Sequence, residues 1–280
     1  MYESFYHLKE QPFGSTPDPR YLYKSIGHRQ ALAYLAYGVF RKKGFLAVTG
    51  EVGIGKTTVI RAFVNAFHPC LDVSFVLNTT VGFEDMLYLI LQDFGCKIDN
   101  SSKVGMLSTL NRYLIEKFAE NRNPLIIIDE SQNLSGEVLE ELRMLSNLET
   151  DRCKLLQIVL VGQTELLGIL NRRELRQLKQ RIPGILRMKN LQPGEVGEYI
   201  RYRLRTAGLT NGHLNFTEGA RAAIYDYSAG VPRLINMICD RVLVRGYLRR
   251  TTTIVEEMVR ESVHEVAQGS RGDEDWSQTA

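Results

Sequence analysis

The sequence predicts an α/β protein: a doubly wound parallel sheet followed by a small C-terminal helical lid domain. Three observations predict it. Between residues 28 and 190, strand-sized apolar runs alternate with segments of helical periodicity. Several runs are apolar at every position, as in Leu125-Ile126-Ile127-Ile128 and Ile158-Val159-Leu160-Val161, which suits strands covered by helices on both faces. After Leu191 the helical pattern continues and no good strand follows.

Taken in order, residues 1–27 mix aromatics with Pro12, Pro17 and Pro19, which disfavour helix and predict an extended, ordered arm packed on the core domain. Residues 28–43 place Leu32, Leu35 and Phe40 on one helical face that ends at Gly44. Next come a short strand over 44–50, a glycine loop and a helix from Lys56. A strand over 71–80, two helices, the buried strand of 123–131, a helix, the strand of 155–162, one helix over 165–180 and a short strand near 185–190 complete the α/β domain, 28–190. Residues 191–268 read as four lid helices. The polar tail, 269–280, lacks the aliphatic residues that would offset its ordering entropy and reads as disordered.

Composition excludes little beyond the extremes. With 35 basic and 32 acidic residues the formal charge is +3, so no bulk field commits the chain to nucleic acid or anionic lipid. Cys70, Cys96, Cys153 and Cys239 lie far apart without metal or redox spacing and read as buried free thiols. The N-terminus has no basic-then-apolar leader, and no apolar run reaches the length of a membrane span, which predicts a cytoplasmic protein, peripheral to the inner membrane at most through a partner.

The chemistry concentrates in three places. Gly50-Glu51-Val52-Gly53-Ile54-Gly55-Lys56-Thr57 fits GxxxxGK[ST] between a strand and a helix. Its glycines let backbone amides face phosphate oxygens, Lys56 reaches the β and γ phosphates, and the Thr57 hydroxyl can ligate Mg²⁺. Asp129 and Glu130 close a buried strand, where a parallel sheet presents its reactive groups: Asp129 to hold the hydrated metal, Glu130 as general base for the attacking water. Gln163 ends the next buried strand and can contact the γ phosphate or that water. Arg181, in a basic stretch with Arg176 and Lys179, reads either as a charge-stabilising residue for a neighbouring subunit or as part of a solvated face. Arg233, just after Pro232 at a helix start, reads either as a residue that swings over the phosphates or as a surface ion pair.

The runs GEVGIGKTT, LIIIDESQNL, LQIVLVGQTEL, LKQRI and GVPRLIN resemble AAA+ P-loop ATPases, and the opening FYHLKEQPFGSTPDPRYLYKSIGHRQALAYLAYGV is similar to the N-terminal signature of the general secretion pathway protein A group. The resemblance covers almost all of residues 1–268. It implies ATP and Mg²⁺ as cofactors, Walker A at Gly50–Thr58 (Thr58 included), Walker B at Asp129 and Glu130, a sensor 1 role for Gln163, an arginine-finger role for Arg181 and a sensor 2 role for Arg233. It also implies that the arm near Pro12-Phe13 and the helix start near His28 lie beside the adenine. Members of the secretion type continue into a membrane span and a periplasmic domain. This chain therefore reads either as their cytoplasmic part or as a short relative serving pilus or exopolysaccharide export.

The leading expectation is an ATPase that drives or times assembly of a cell-envelope secretion, pilus or export machine. It would work as a nucleotide-dependent homo-oligomer, with a hexameric ring as one form, alongside protein partners of that machine. The second reading is a DNA-associated regulator of the transposition-ATPase kind, which shares the DESQN layout. Over 191–280, however, eleven basic residues meet twelve acidic ones, leaving no positive lid surface for phosphates. A third, a nucleotide-gated switch that binds ATP but scarcely turns it over and acts as a scaffold, is opposed by the intact Asp129 and Glu130.

Overall fold

The computed structural model describes residues 1–14, 16, 18–150, 153–210 and 212–265; the predicted tail and the last residues of the predicted lid lie outside this set. The chain forms two compact units. Among the described residues one unit, α/β, comprises His28–Val52 and Lys56–Met188; the other, largely helical, comprises residues 1–27, Gly53–Gly55 and those from Lys189 to 265.

The chain opens with a single turn, α1 (Tyr2–Phe5), and reaches the α/β unit along α2 (Ile26–Phe40). Five strands form its sheet: β1 (Phe45–Thr49), β2 (Leu71–Val76), β3 (Asn123–Ile128), β4 (Gln157–Gly162) and β5 (Ile185–Arg187). They lie in the order β2-β3-β4-β1-β5, every pair parallel, and β1 and β4 are buried along their whole length. Parallel neighbours require helical crossovers. These are α3 (Lys56–Phe67), α4 (Phe83–Asp93), α5 (Lys103–Ala119) and α6 (Gly136–Leu145), the last two N-capped by Ser102 and Ser135.

Two local readings are corrected. The buried face of α2 is His28, Ala31, Leu35, Gly38 and Val39, while Phe40 is exposed. Gly38 is needed there because a Cβ would stand 2.2 Å from Leu46 Cδ2 of β1. The single helix expected over 165–180 is two, α7 (Glu165–Leu170) and α8 (Arg176–Arg181), separated at Asn171–Arg172 and by a 3₁₀ turn. Buried Leu166 and Leu170 are four apart, but Leu175 follows by five, which at about 100° per residue would turn it off the common face of one continuous helix. The break returns Leu175 and Leu178 to the core.

The helical unit contains α9 (Pro193–Thr206), α10 (Glu218–Ser228), α11 (Pro232–Leu248) and α12 over 256–265. It also holds a parallel ladder of two residues each, β6 (Asn215–Phe216) and β7 (Thr253–Ile254), too short to leave a pattern in the sequence. The opening arm was expected on the α/β core. Instead Tyr2, Tyr6, Leu8, Phe13 and Tyr21 are buried in the core of the helical unit. Their polar ends explain the choice: Tyr2 Oη donates to Asp240 Oδ1 at 2.6 Å and Tyr6 Oη to the Leu243 carbonyl at 3.1 Å, both on α11.

The four cysteines are free thiols, but only Cys239 is buried; Cys96 and Cys153 are half-buried and Cys70 is exposed. Among the described residues no helix is long and apolar enough to cross a membrane.

Candidate nucleotide site

The site is built where β1, β4 and β3 end side by side. β1 gives way to the glycine loop, in which Gly53 (φ +80°) and Gly55 (φ +97°) take left-handed conformations that L side chains resist. A Cβ on Gly53 would also lie 2.5 Å from Arg233 Cβ. Lys56 begins α3 and is 7% exposed; its Nζ donates to the carbonyls of Gly50 (2.9 Å) and Glu51 (3.0 Å). Burial holds its pKa below the ordinary lysine value, opposed by the negative charges of Glu130, Asp129 and Glu165.

β4 separates β1 from β3, so groups from the two outer strands meet only across its end. That end is Gly162, whose carbonyl accepts from the Gly50 amide at 3.3 Å. Across it the Thr57 hydroxyl donates to Asp129 Oδ2 at 2.7 Å. Asp129 Oδ1 in turn accepts from the Glu130 amide at 2.9 Å, and Glu130 sits in the left-handed region (φ 51°), a conformation found where surrounding structure enforces it.

Glu130 Oε2 accepts from Gln132 Nε2 at 2.6 Å and from Gln163 Nε2 at 3.2 Å. Burial pushes the Glu130 carboxyl up. These two hydrogen bonds and the Lys56 charge outweigh burial and hold it below the usual carboxylate range. Gln132 Oε1 also accepts from the Gln163 amide at 3.0 Å. Sequence reading missed Gln132, although it stands in the same DESQN run; its partner lies 31 residues away and is brought close only by the pairing of β3 with β4.

The structure thus brings Gly50, Lys56, Thr57, Asp129, Glu130 and Gln163 together in the α/β unit. Two candidates lie elsewhere. Arg181 ends α8, half-buried, its Nη1 donating to Ser146 Oγ at 2.9 Å within its own chain. Arg233 lies in the first turn of α11 with its side chain exposed, and inside the helical unit its amide donates to the Gly53 carbonyl at 3.2 Å. Glu51, Val52, Ile54 and Thr58 complete the loop, Val52 exposed and Ile54 buried.

The donor set fits a nucleotide phosphate chain and its magnesium ion. Two left-handed glycines let the loop backbone curl, and a threonine hydroxyl stands against a carboxylate, a hard oxygen pair suited to Mg²⁺. A glycine loop between β1 and α3, on a parallel sheet of order β2-β3-β4-β1-β5, defines a P-loop protein.

An AAA domain model matches residues 40–170. Over 277 residues the chain is 39% identical to General secretion pathway protein A of Aeromonas hydrophila, with 99% of this chain and 50% of that protein aligned. The chain carries an AAA domain with the P-loop fold and is a relative of general secretion pathway protein A. It spans about half the length of that relative.

Among solved structures, Aeropyrum pernix ORC2 in its ADPNP–ADP complexes is 21% identical with a TM-score of 0.68, over 92% of this chain and 71% of that one. Cdc6p from Pyrobaculum aerophilum is 19% identical with a TM-score of 0.69, over 91% and 70%. The Thermotoga maritima RuvB Holliday junction branch migration motor is 18% identical with a TM-score of 0.58, over 88% and 72%. At these identities the likeness is one of fold.

Proposed function

We propose that this chain hydrolyses ATP with magnesium, and that turnover drives or times assembly of a bacterial cell-envelope secretion, pilus or export machine. The observation that carries the reading is the 2.7 Å hydrogen bond from Thr57 to Asp129, which joins the phosphate-loop helix to the acidic strand end. The kinship to a secretion-pathway protein supports the setting.

In this reading the amides of Gly50–Thr58 cradle the phosphates, and Lys56 leaves the Gly50 and Glu51 carbonyls to meet β and γ oxygens. Thr57 and Asp129 would hold the magnesium ion, which when bound would supply positive charge against the phosphoryl oxygens. Glu130, kept ionised by its neighbours, takes the proton of the attacking water on its carboxylate. Gln163 orients that water, and Arg233 bears on the phosphates.

Arg181 serves the site of a neighbouring copy, so that the working form is an oligomer. The test is steady-state ATP hydrolysis against protein concentration, for wild type and Arg181→Ala. Specific activity rises with concentration in the wild type, and Arg181→Ala loses that rise together with roughly 10³-fold in turnover. A flat concentration profile with normal Arg181→Ala turnover would return Arg181 to its role as the partner of Ser146. Steeply salt-dependent DNA binding would favour the transposition-regulator reading instead.

A further inference from the structure

We infer that Gln132 is a positioning residue of this site: its two amide atoms tie the Glu130 carboxylate to Gln163, so that the acid after β3 and the glutamine after β4 are held as one unit. The inference rests on the hydrolytic reading above and adds a residue to it. Glu130 Oε2 is an acceptor only and the Gln163 amide a donor only, so the two contacts, at 2.6 and 3.0 Å, fix which way the Gln132 amide faces. Reversed, it would present an acceptor to the carboxylate and a donor to the N–H. A side-chain amide meets both partners at once, its N–H toward the carboxylate and its oxygen toward the backbone N–H, and carries no charge.

The surroundings are arranged for this bridge. Ser131 Oγ donates to the Ile128 carbonyl at 2.7 Å, pinning the 3₁₀ turn Ser131–Asn133 that carries Gln132 to the end of β3. The left-handed Glu130 bends the chain so that residues 130 and 132 point to the same oxygen-bearing side. At Gly162 a Cβ would lie 2.8 Å from Gln132 Oε1, so the last residue of β4 leaves the bridge its space. Gln163 Nε2 reaches the same Glu130 oxygen at 3.2 Å, which closes a ring through Glu130, Gln132 and Gln163. Each glutamine limits the swing of the carboxylate. Neither by itself prevents it.

A residue that only positions another should change the rate of the chemical step and leave substrate binding alone. The experiment compares Gln132→Leu and Gln132→Glu with wild type, Gln163→Ala and Glu130→Gln, measuring steady-state ATP turnover and, separately, the affinity for a non-hydrolysable ATP analogue. Both Gln132 variants are expected to lose about 10-fold or more in kcat, since a misplacement near 1 Å costs on the order of 10²-fold. KM and analogue affinity stay within about twofold, the pattern of an interaction made for the transition state. Gln132→Glu keeps an acceptor for the Gln163 amide and loses the donor to Glu130, so its loss assigns the effect to the Glu130 link even if Gln132→Leu folds poorly. The double variant Gln132→Leu/Gln163→Ala is expected to be scarcely slower than the worse single one, because the two act as a unit.

Wild-type kcat in Gln132→Glu, with Glu130→Gln inactive, overturns the inference and leaves the hydrolytic reading standing. Equal loss of analogue affinity and kcat also overturns it, making Gln132 a structural support of the loop. Wild-type turnover in Glu130→Gln removes the hydrolytic reading itself.

Discussion

Among the described residues each unit buries one long cation, and the two are held by opposite means. In the α/β unit Lys56, 7% exposed, bonds to two carbonyls of its own loop while three carboxylates act on it from Glu130, Asp129 and Glu165. In the helical unit Arg203, 8% exposed, forms no ion pair among the described residues: Asp18 feels its charge but pairs with Arg20 at 2.7 Å. Arg203 is held by the Pro12 carbonyl (2.6 Å), the Tyr199 hydroxyl (3.2 Å) and the Gly14 carbonyl (3.5 Å). Its guanidinium lies 4.7 Å from the Tyr21 ring centre and under 6 Å from those of Phe13 and Tyr199. The comparison shows why the residue types differ. A compact ammonium on a flexible stem can exchange its loop carbonyls for other oxygens, whereas a planar fork stacked among rings and tied to fixed carbonyls locks the arm in one place.

Exchanging the two cation types tests this directly, and the larger effect is expected at the loop. Lys56→Arg keeps the charge but replaces the point donor that Gly50 and Glu51 accept from by a planar fork. ATP turnover should fall about 100-fold or more, as when one preorganised donor is removed from a charge-stabilising site. The unfolding midpoint should barely move. Normal turnover in Lys56→Arg would show that the loop needs charge alone.

Arg203→Lys is the reciprocal change and should act on stability. The ammonium cannot span Pro12, Gly14 and Tyr199 together or stack on Tyr21, so hydrogen bonds to a buried charge are lost, each worth about 1.5–3 kcal/mol. Urea unfolding followed by far-ultraviolet circular dichroism should report a loss of about 2–3 kcal/mol in net stability after partial compensation by water. An unchanged midpoint would mean that the arm is held by its aromatic burial and that the arginine is incidental.

The same contrast governs how much could be read from sequence. The candidate nucleotide site was legible because its residues are local: eight consecutive residues, 50–57, form the glycine loop, and Asp129-Glu130 are adjacent at the end of an unbroken apolar strand. Parallel strands buried on both faces announce themselves for the same reason. What escaped depends on partners distant in the chain. Gln132 is an ordinary polar residue until β3 pairs with β4 and brings Gln163 beside it. The arm was recognised as ordered from its aromatics, yet not which body it joins, since Pro12 and Arg203 are 191 residues apart. The break between α7 and α8 was written in the spacing of Leu170 and Leu175, five rather than three or four, a signal weaker than the helical propensity around it.

The smallest effect is expected where the arm is tied at its first turn. Tyr2 is 5% exposed, and its phenol is pushed well above the ordinary range by burial, then by the hydrogen bond to Asp240 and by that residue's charge. Tyr2→Phe removes the 2.6 Å hydrogen bond and keeps the ring in the core. Asp240 is half-buried, so water can replace the lost donor, and the net cost should be about 1 kcal/mol in urea unfolding. Tyr6→Phe offers the sharper comparison: the Tyr6 hydroxyl reaches the Leu243 and Thr251 carbonyls from a fully buried ring, where water has less access. If Tyr2→Phe cost as much as Arg203→Lys, the first turn and not the arginine would be the arm's main anchor. If both tyrosine variants were neutral, ring burial and Arg203 would together suffice to hold the arm.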